Sequence, residues 1–208
     1  QFDYEYKKSL DSYEKAVRRR NKILEHHEDA VKLRDELSYW NELCIKQAEY
    51  ITRVRSRYCE FLNNHQSVDG RIFKIDYLKN EFNQEKIDKY EELERKTRRT
   101  MFGPQKDDMK IYLRVKDANG KDIQHFGSRS EQRLALMWLK LGEIFHYQEV
   151  MHHEPILLLD DVFSEFDTTN KALILDLVKK YQTIASTTDK EMIVLAKKHK
   201  IPTEIIQL

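Results

Sequence analysis

Apolar residues in the first part of the chain recur at the spacing of an α-helix. The first stripe follows intervals typical of one helix face and comprises Tyr6, Leu10, Tyr13, Val17 and Leu24. A second stripe, which runs from Trp40 through Val54 to Tyr58, predicts another helix over residues 35–64. Two consecutive amphipathic helices of this length bury their stripes most economically as an antiparallel hairpin.

The pattern changes after this hairpin. The dipeptide Asp69-Gly70 predicts a turn, residues 71–78 alternate as a strand, and residues 80–99 return to helical spacing. The composition shifts again at Gly103-Pro104. We therefore predict a helical domain over residues 1–102, with a short strand near 71–78, and a second domain over residues 103–208.

The second domain begins with a predicted β-hairpin. Residues 110–115 alternate between apolar and polar side chains, and Asn119-Gly120 is typical of a type I′ turn. Residues 121–126 are predicted to return as the partner strand. From Ser128 the chain becomes helical and apolar around much of its circumference, which predicts a buried helix.

The segment from Pro155 to Asp161 contains four consecutive aliphatic residues followed by two acids. An uninterrupted apolar run predicts a strand that is buried on both faces. The pattern after it predicts a helix, a strand, a helix and a strand, at residues 168–181, 183–186, 191–199 and 204–208. This alternation is typical of an α/β layer with parallel strands.

Composition adds three constraints. Charged residues make up 35% of the chain, with only five glycines and three prolines, which favours long solvated helices. The net charge of +1 does not by itself indicate nucleic-acid binding, so any basic surface must come from local clustering. Cys44 and Cys59 lack metal-site spacing and are predicted to be free thiols.

Asp160 and Asp161 are the first candidates for chemistry. Acids at the carboxyl end of a buried strand lie where α/β folds place their ligands. One carboxylate could hold Mg²⁺ on a nucleotide while the other positions a water molecule. Alternatively, the two acids simply end the strand and cap the next helix.

Two further segments could meet such a nucleotide. Ser128 and Glu131 fit a capping box, which explains them structurally. The same helix start, with its free backbone N–H groups, could also bind an anion. Polar residues from Ser186 to Asp189 follow the next predicted strand, although Asp189 could merely be the N-cap of the last helix.

Four motifs, in order, resemble the RecF family of bacterial recombination mediators, in which an ABC-type ATPase head carries a helical lid. GPQKDD at residues 103–108 is similar to the family's GP-H-R-DD element, and FGSRSEQR at 126–133 is similar to its signature. PILLLDDVFSEFD at 155–167 resembles the Walker B strand with its D-loop, and TTD at 187–189 resembles the threonine-rich switch. RRRNKIL at 18–24 and Trp40 look like parts of the lid.

The resemblance implies a role for each matching residue. Asp160 would be the Walker B acid associated with Mg²⁺, and Asp161 would be the catalytic acid that orients water. Asp167 would be the D-loop acid, and Thr188 would lie near the γ-phosphate. The signature that reaches ATP in the other subunit would comprise Ser128, Ser130, Glu131 and Gln132.

Two positions depart from the family pattern. Ser130 stands where the signature usually has glycine, and Gln105 replaces the usual histidine. No G-x-x-x-x-G-K-[ST] motif occurs in the 208 residues. Because the family carries its P-loop in an N-terminal segment, we expect a C-terminal portion of a weak ATPase that uses ATP and Mg²⁺, with no hydrolysis by this chain alone.

The resemblance also implies partners. We expect a bacterial cytoplasmic protein of DNA repair, replication, recombination and the SOS response. It would form an ATP-dependent homodimer on duplex or gapped DNA and support recombinase loading with mediators of the RecR and RecO type. The candidates for DNA contact are Arg18, Arg19, Arg20, Arg95, Arg98 and Arg99.

Other interpretations stay open. Most of Arg18, Arg19 and Arg20 must be solvated, because they point around the helix. Arg95, Arg98 and Arg99 could equally complement a helix carboxyl end. The whole chain could be a non-hydrolytic module that binds DNA or protein. It could also be a head fragment of another ATPase of the SMC or OLD type.

Overall fold

A computed structural model describes residues 3–26, 30–65, 67–68, 70–114, 120–161, 168–188 and 190–206. The chain divides into two compact units. The helical unit comprises Gln1–Asn64 and Ile75–Lys110, and the α/β unit comprises His65–Lys74 and Ile111–Leu208. The division into functional domains at residue 103 stays a prediction.

The helical unit contains the predicted hairpin. Helix α1 spans Tyr4–His26 and helix α2 spans Ala30–Asn64. Tyr6, near the start of α1, accepts a hydrogen bond from Arg55 late in α2 (3.0 Å). Leu24, near the end of α1, clusters with Leu33 at the start of α2. The two helices are therefore antiparallel, as predicted.

The core of the helical unit forms where this hairpin meets two aromatic residues from the following segment. Strand β2 (Arg71–Leu78) leads to helix α3 (Gln84–Thr97), which Asn83 caps by accepting a hydrogen bond from the Lys86 amide (3.0 Å). Both elements confirm the predictions for this region. The buried core residues are Tyr13, Ala16, Cys44, Ala48, Ile51, Phe82 and Phe102.

The α/β unit starts with short antiparallel pairings. Strand β1 (Ser67–Val68) pairs with β2, and strand β3 (Asp108–Leu113) pairs with strand β4 (Lys121–Asp122). The sheet has the order β1-β2-β3-β4. The predicted turn residue Asn119 lies outside the described residues.

The predicted return strand at residues 121–126 is mostly wrong. Only its first two residues pair with β3, and the rest form a single helical turn, α4 (Ile123–Phe126). The Asp122 carboxylate caps this turn by accepting a hydrogen bond from the Gln124 amide (2.9 Å). This local side-chain hydrogen bond favours a helical turn over continued pairing with β3.

The remaining elements alternate as predicted. Helix α5 (Arg129–Met151) precedes strand β5, helix α6, strand β6 and helix α7, which span Leu157–Asp160, Thr168–Lys180, Thr183–Ser186 and Lys190–Lys198. β5 and β6 are parallel, with Leu157 opposite Thr183 and Asp160 opposite Ser186. The core of this layer comprises Met137, Ile174, Leu175 and Ile201.

The prediction that β5 is buried on both faces is wrong. Leu157 is 8% exposed, whereas Leu158 is 74% exposed and its neighbour on β6, Ile184, is 64% exposed. Leu159, on the side of Leu157, packs against the core of the layer. Within the described ranges, that core covers one face of the sheet and leaves the other apolar face in solvent.

The predicted last strand at residues 204–208 is also not formed over residues 204–206. A strand needs a partner ladder to satisfy its backbone groups. In the described part of the chain no strand pairs with this segment, and Ile205 and Ile206 are 51% and 79% exposed. Residues 207 and 208 lie outside the description.

Candidate nucleotide-binding site

The two acids lie where the parallel strands β5 and β6 end together. Ser186, the residue opposite Asp160 on β6, donates its hydroxyl hydrogen to the Asp160 carboxylate (2.5 Å). The Asp161 amide donates to the Ser186 carbonyl (3.1 Å). Ser186 therefore contacts both acids, and the carboxyl ends of the two strands form one polar edge, the usual ligand position in an α/β sheet.

The backbone at Asp161 is strained. Its φ is +44°, in the left-handed region that residues with a Cβ rarely adopt. Such strain concentrates at functional sites. The two carboxylates also lie in different environments, since Asp160 is exposed and Asp161 is partly buried. Different surroundings fit the different roles predicted for the two acids.

The polar edge suits a hard divalent cation. Asp160 offers an exposed carboxylate, and Ser186 adds a hydroxyl oxygen beside it. Mg²⁺ is usually held by one or two carboxylates together with substrate phosphates and water. No cluster of three or more His, Cys, Asp or Glu side chains occurs among the residues that the structure describes. Asp160 and Ser186 offer the kind of oxygen ligands that could hold Mg²⁺ on a nucleotide.

Two further residues are predicted to belong to this site. Thr188 is exposed and follows Ser186 by two residues, just beyond the end of β6. Asp167, the predicted D-loop acid, lies outside the described residues. The role of each residue stays a prediction.

The start of α5 is a complete capping box. Ser128 accepts a hydrogen bond from the Glu131 amide (3.3 Å), and the Glu131 carboxylate accepts one from the Ser128 amide (2.7 Å). Lys121 also donates to Glu131 (2.7 Å). Hydrogen bonds from Lys121 and from the Ser128 amide lower the pKa of Glu131 to about 2. The structural explanation of Ser128 and Glu131 is therefore confirmed, while their role toward ATP stays a prediction.

The rest of the signature is held against the turn that precedes it. Gln132 donates its side-chain N–H to the Ile123 carbonyl (3.2 Å). A Cβ on Gly127 would overlap the same carbonyl, so only glycine fits this close approach. Ser130, at the position of the usual glycine, is partly buried.

Arg20 does not belong with the DNA-contact candidates. Its side chain is 1% exposed and forms an ion pair with the buried carboxylate of Glu94 (2.6 Å). It also donates to Thr100 (3.0 Å) and Asn41 (2.8 Å). The sequence could not separate Arg20 from its neighbours, because three consecutive arginines must point in different directions around a helix.

The other five basic candidates are all exposed: Arg18, Arg19, Arg95, Arg98 and Arg99. Arg98 adopts the left-handed conformation that ends α3. Arg18 lies 3.9 Å from Glu14 in a solvent-exposed pair. These positions make DNA contact sterically possible.

Sequence reasoning missed a polar cluster around the GPQKDD element. Arg55 donates to the Asp107 carboxylate and to the Pro104 carbonyl, both at 2.7 Å. Asp107 also accepts hydrogen bonds from the Asn80 amide (2.7 Å) and the Tyr77 hydroxyl. Burial alone would lower the pKa of Arg55, but hydrogen bonds with Tyr6 and Asp107 outweigh burial and raise that pKa. The only indication of this cluster in the sequence was Asp107, the acid that follows Gly103-Pro104 within the GPQKDD element.

Gln105, which had no predicted role, joins this element to α1. Its side-chain oxygen accepts a hydrogen bond from Tyr13 (2.5 Å), and its side-chain nitrogen donates to the Phe102 carbonyl (2.8 Å). Gly103 adopts φ +117°, and a Cβ there would overlap the Tyr13 hydroxyl. The GPQKDD element therefore packs against α1 and has a structural role in the helical unit.

Comparison with known proteins finds similar sequences. No protein-family model matches the chain. The DNA replication and repair protein RecF of Acetivibrio thermocellus is 30% identical over 207 residues, which cover 88% of this chain and 54% of that protein. RecF of an Exiguobacterium species is 32% identical, with the same shares covered. The chain is homologous to RecF.

Solved structures of RecF also resemble this chain. The recombination mediator protein RecF-ATPrS in the RecFOR pathway matches with a TM-score of 0.76 and 28% identity, over 91% of this chain and 55% of that one. The corresponding RecF-ATP structure matches with a TM-score of 0.74 and 29% identity. These matches confirm the predicted fold class, a partial ABC-ATPase-like α/β head lobe with an α-helical lid. The chain spans about half the length of the RecF relatives it matches.

None of the helices in the described residues is long and apolar enough to cross a membrane.

Proposed function

We propose that this chain is part of a RecF-like DNA replication and repair protein. It supplies the Walker B acids, the signature helix and the helical lid of an ABC-type ATPase. The observation that carries the proposal is the polar edge at the ends of β5 and β6, where Ser186 contacts both Asp160 and Asp161. Homology to RecF over 88% of the chain supports the same assignment.

In this proposal each acid has its own task. Asp160 is the ligand to Mg²⁺, and the Ser186 hydroxyl orients the carboxylate. Mg²⁺, when bound, offsets the negative charge of the nucleotide phosphates. Asp161, which is partly buried and fixed by its backbone hydrogen bond to Ser186, accepts a hydrogen bond from the attacking water. The RecF structures with ATP and ATPrS support ATP as the nucleotide.

The signature helix acts on a second subunit. The exposed amino end of α5, with Ser128 at its cap, presents backbone N–H groups and a helix dipole that favour phosphate. ATP bound by one subunit would therefore contact α5 of the other and favour a homodimer. The dimer clamps DNA at single-strand gaps or duplex junctions, and hydrolysis releases it, which is a nucleotide-driven population shift.

The wider partners follow from the family. The complete protein supports recombinase loading on gapped DNA together with mediators of the RecR and RecO type, in the bacterial cytoplasm. Hydrolysis requires a P-loop, which these 208 residues do not contain. The exposed apolar face with Leu158 and Ile184 supports the need for further structure, because parallel sheets are usually covered on both faces.

A second candidate is a non-hydrolytic module that binds DNA or protein. The helical unit favours it, because this unit has its own aromatic core and exposed basic residues. Measuring ATP hydrolysis separates the two candidates. The suitable protein joins these 208 residues to the part of the Acetivibrio thermocellus RecF that they do not match.

Replacing the catalytic acid tests the assignment in that protein. Asp161→Asn should lower Mg²⁺-dependent hydrolysis at least about a hundredfold, because removing one preorganised catalytic group costs roughly that much. Binding of ATP should stay unchanged, since the Mg²⁺ ligand is Asp160. Asp176→Asn, on the exposed surface of α6, is the matched control and should hydrolyse ATP normally. Equal activity of the two variants would refute the role of Asp161.

A further inference from the structure

The surface of the helical hairpin carries a groove that the ATP site does not use. Two adjoining depressions share Arg19, Lys22 and Trp40, so they form one continuous surface, which we call the hairpin groove. Its lining comprises Ser12, Lys15, Arg18, Arg19, Lys22, Ile23, His26, Trp40 and Leu43.

The charged side chains that line the hairpin groove are cationic. Lys15, Arg18, Arg19 and Lys22 line it, and none of the described residues in its lining is Asp or Glu. The whole chain is nearly balanced, with 37 Lys and Arg against 36 Asp and Glu. A neighbouring pocket of the same unit shows the usual mixture, since its arginines alternate with Asp and Glu side chains. The concentration of cations in the hairpin groove therefore favours an anionic ligand.

The four cations follow one side of α1. Their positions recur at intervals of three and four residues, so they lie along a single helix face. From Lys15 to Lys22 the helix axis advances about 10 Å, at about 1.5 Å per residue. All four side chains are exposed. A row of cations of this length suits successive phosphates of a chain better than one small anion.

Trp40 adds an aromatic surface to the same groove. It packs partly against the hydrophobic core, which fixes its position, and it lines both depressions. Tyr39, which is 64% exposed, lies edge-on to it with ring centroids 5.0 Å apart. A cationic groove with a fixed aromatic ring is the composition with which proteins bind single strands, because unpaired bases stack on the ring. In a duplex the bases are stacked on one another.

We propose that the hairpin groove binds single-stranded DNA. Phosphates contact Lys15, Arg18, Arg19 and Lys22, and an unpaired base stacks against Trp40. The proposal rests on the RecF-like function, because it assigns the single strand of a gap to a defined surface. It does not depend on ATP, since every residue of the groove lies on the hairpin.

The chain itself can be tested, because its two tryptophans report different events. Trp138 is 1% exposed and donates its indole N–H to the His65 carbonyl (2.6 Å), so it reports on the fold of the α/β unit. An oligonucleotide of fifteen thymidines should quench the fluorescence of Trp40, measured in a Trp138→Phe background. With four phosphate contacts, the logarithm of the binding constant should fall against the logarithm of salt concentration with a slope of about −3.

Matched double variants locate the site. Arg19→Gln with Lys22→Gln should weaken binding of a fluorescein-labelled thymidine oligonucleotide at least about tenfold, because two phosphate contacts are lost. Arg53→Gln with Arg57→Gln removes two exposed cations from α2 and should change affinity less than about twofold. Unchanged far-ultraviolet circular dichroism of both variants shows that the fold is intact.

Three outcomes would overturn the proposal. The first is the absence of Trp40 quenching by the oligonucleotide. The second is an equal loss of affinity in both double variants, which would indicate general charge attraction. The third is equal quenching by a blunt duplex of the same length, which would exclude a single-strand site. ATP-dependent dimerisation is a separate readout, so a failure here is distinguishable from a failure of the ATP site.

Discussion

Arg20 shows how one side chain can hold several elements of the helical unit together. Its guanidinium connects α1 to Asn41 of α2, to Glu94 of α3 and to Thr100 after α3. It also lies 5.5 Å from the ring centroid of Phe82. A buried charge is tolerated only when it is paired and hydrogen-bonded, so this network is a requirement for stability.

Replacing Arg20 tests that role. Arg20→Leu should lower the free energy of unfolding by about 3–5 kcal/mol, because it leaves the Glu94 carboxylate buried without its cation. Arg19→Leu, one residue away and exposed, should change it by less than about 0.5 kcal/mol. Urea denaturation followed by circular dichroism measures both. Similar values for the two variants would contradict the structural role of Arg20.

At the scale of elements, periodicity predicted the long helices and the alternation from β5 to α7 well. It failed where local hydrogen bonds or missing neighbours decide the outcome. Asp122 turned a predicted strand into the single turn α4, and β5 kept one face in solvent. Periodicity reports which residues share a face and carries no information about what covers that face.

The capping box of α5 makes a prediction about pH. The pKa of Glu131 is lowered from 4.5 to about 2, so the charged form stabilises the fold above pH 4.5. That contribution is lost as the pH falls toward 2. Glu131→Gln keeps the capping hydrogen bond but removes the charge.

Urea denaturation at two pH values measures this contribution. Wild type should be more stable than Glu131→Gln at pH 6, and the difference should become smaller at pH 3. The reason is that protons are bound more readily by the unfolded chain than by the folded one over this range. A difference that is the same at both pH values would contradict the assigned ionisation.

At the scale of the whole molecule, the sequence predicted well which segments carry chemistry. It predicted less well how those segments are positioned in space. The acids at the end of β5 were recognisable from the apolar run before them. The contact of Ser186 with both acids was not, because it depends on the register of two strands that are far apart in sequence. The contact between Arg55 and Asp107 was missed because it also joins residues that are far apart in sequence, in α2 and in the GPQKDD element.

The proposed function requires that this chain contribute a signature helix to an ATP-dependent dimer, and one substitution tests that role. Ser128→Asp preserves the N-cap of α5, because Asp caps helices as well as Ser does. It places a carboxylate where the phosphate of the partner-bound nucleotide would approach. Ser38→Asp, an exposed serine on α2, is the matched control.

The measurement is sedimentation velocity of the RecF-length protein with ATP and Mg²⁺, using Asp161→Asn as the background so that hydrolysis does not empty the site. We expect a dimer that forms with ATP and not without it. This dimer should be retained in Ser38→Asp and weakened at least about tenfold in Ser128→Asp. An ATP-dependent dimer of unchanged affinity in Ser128→Asp would contradict that role.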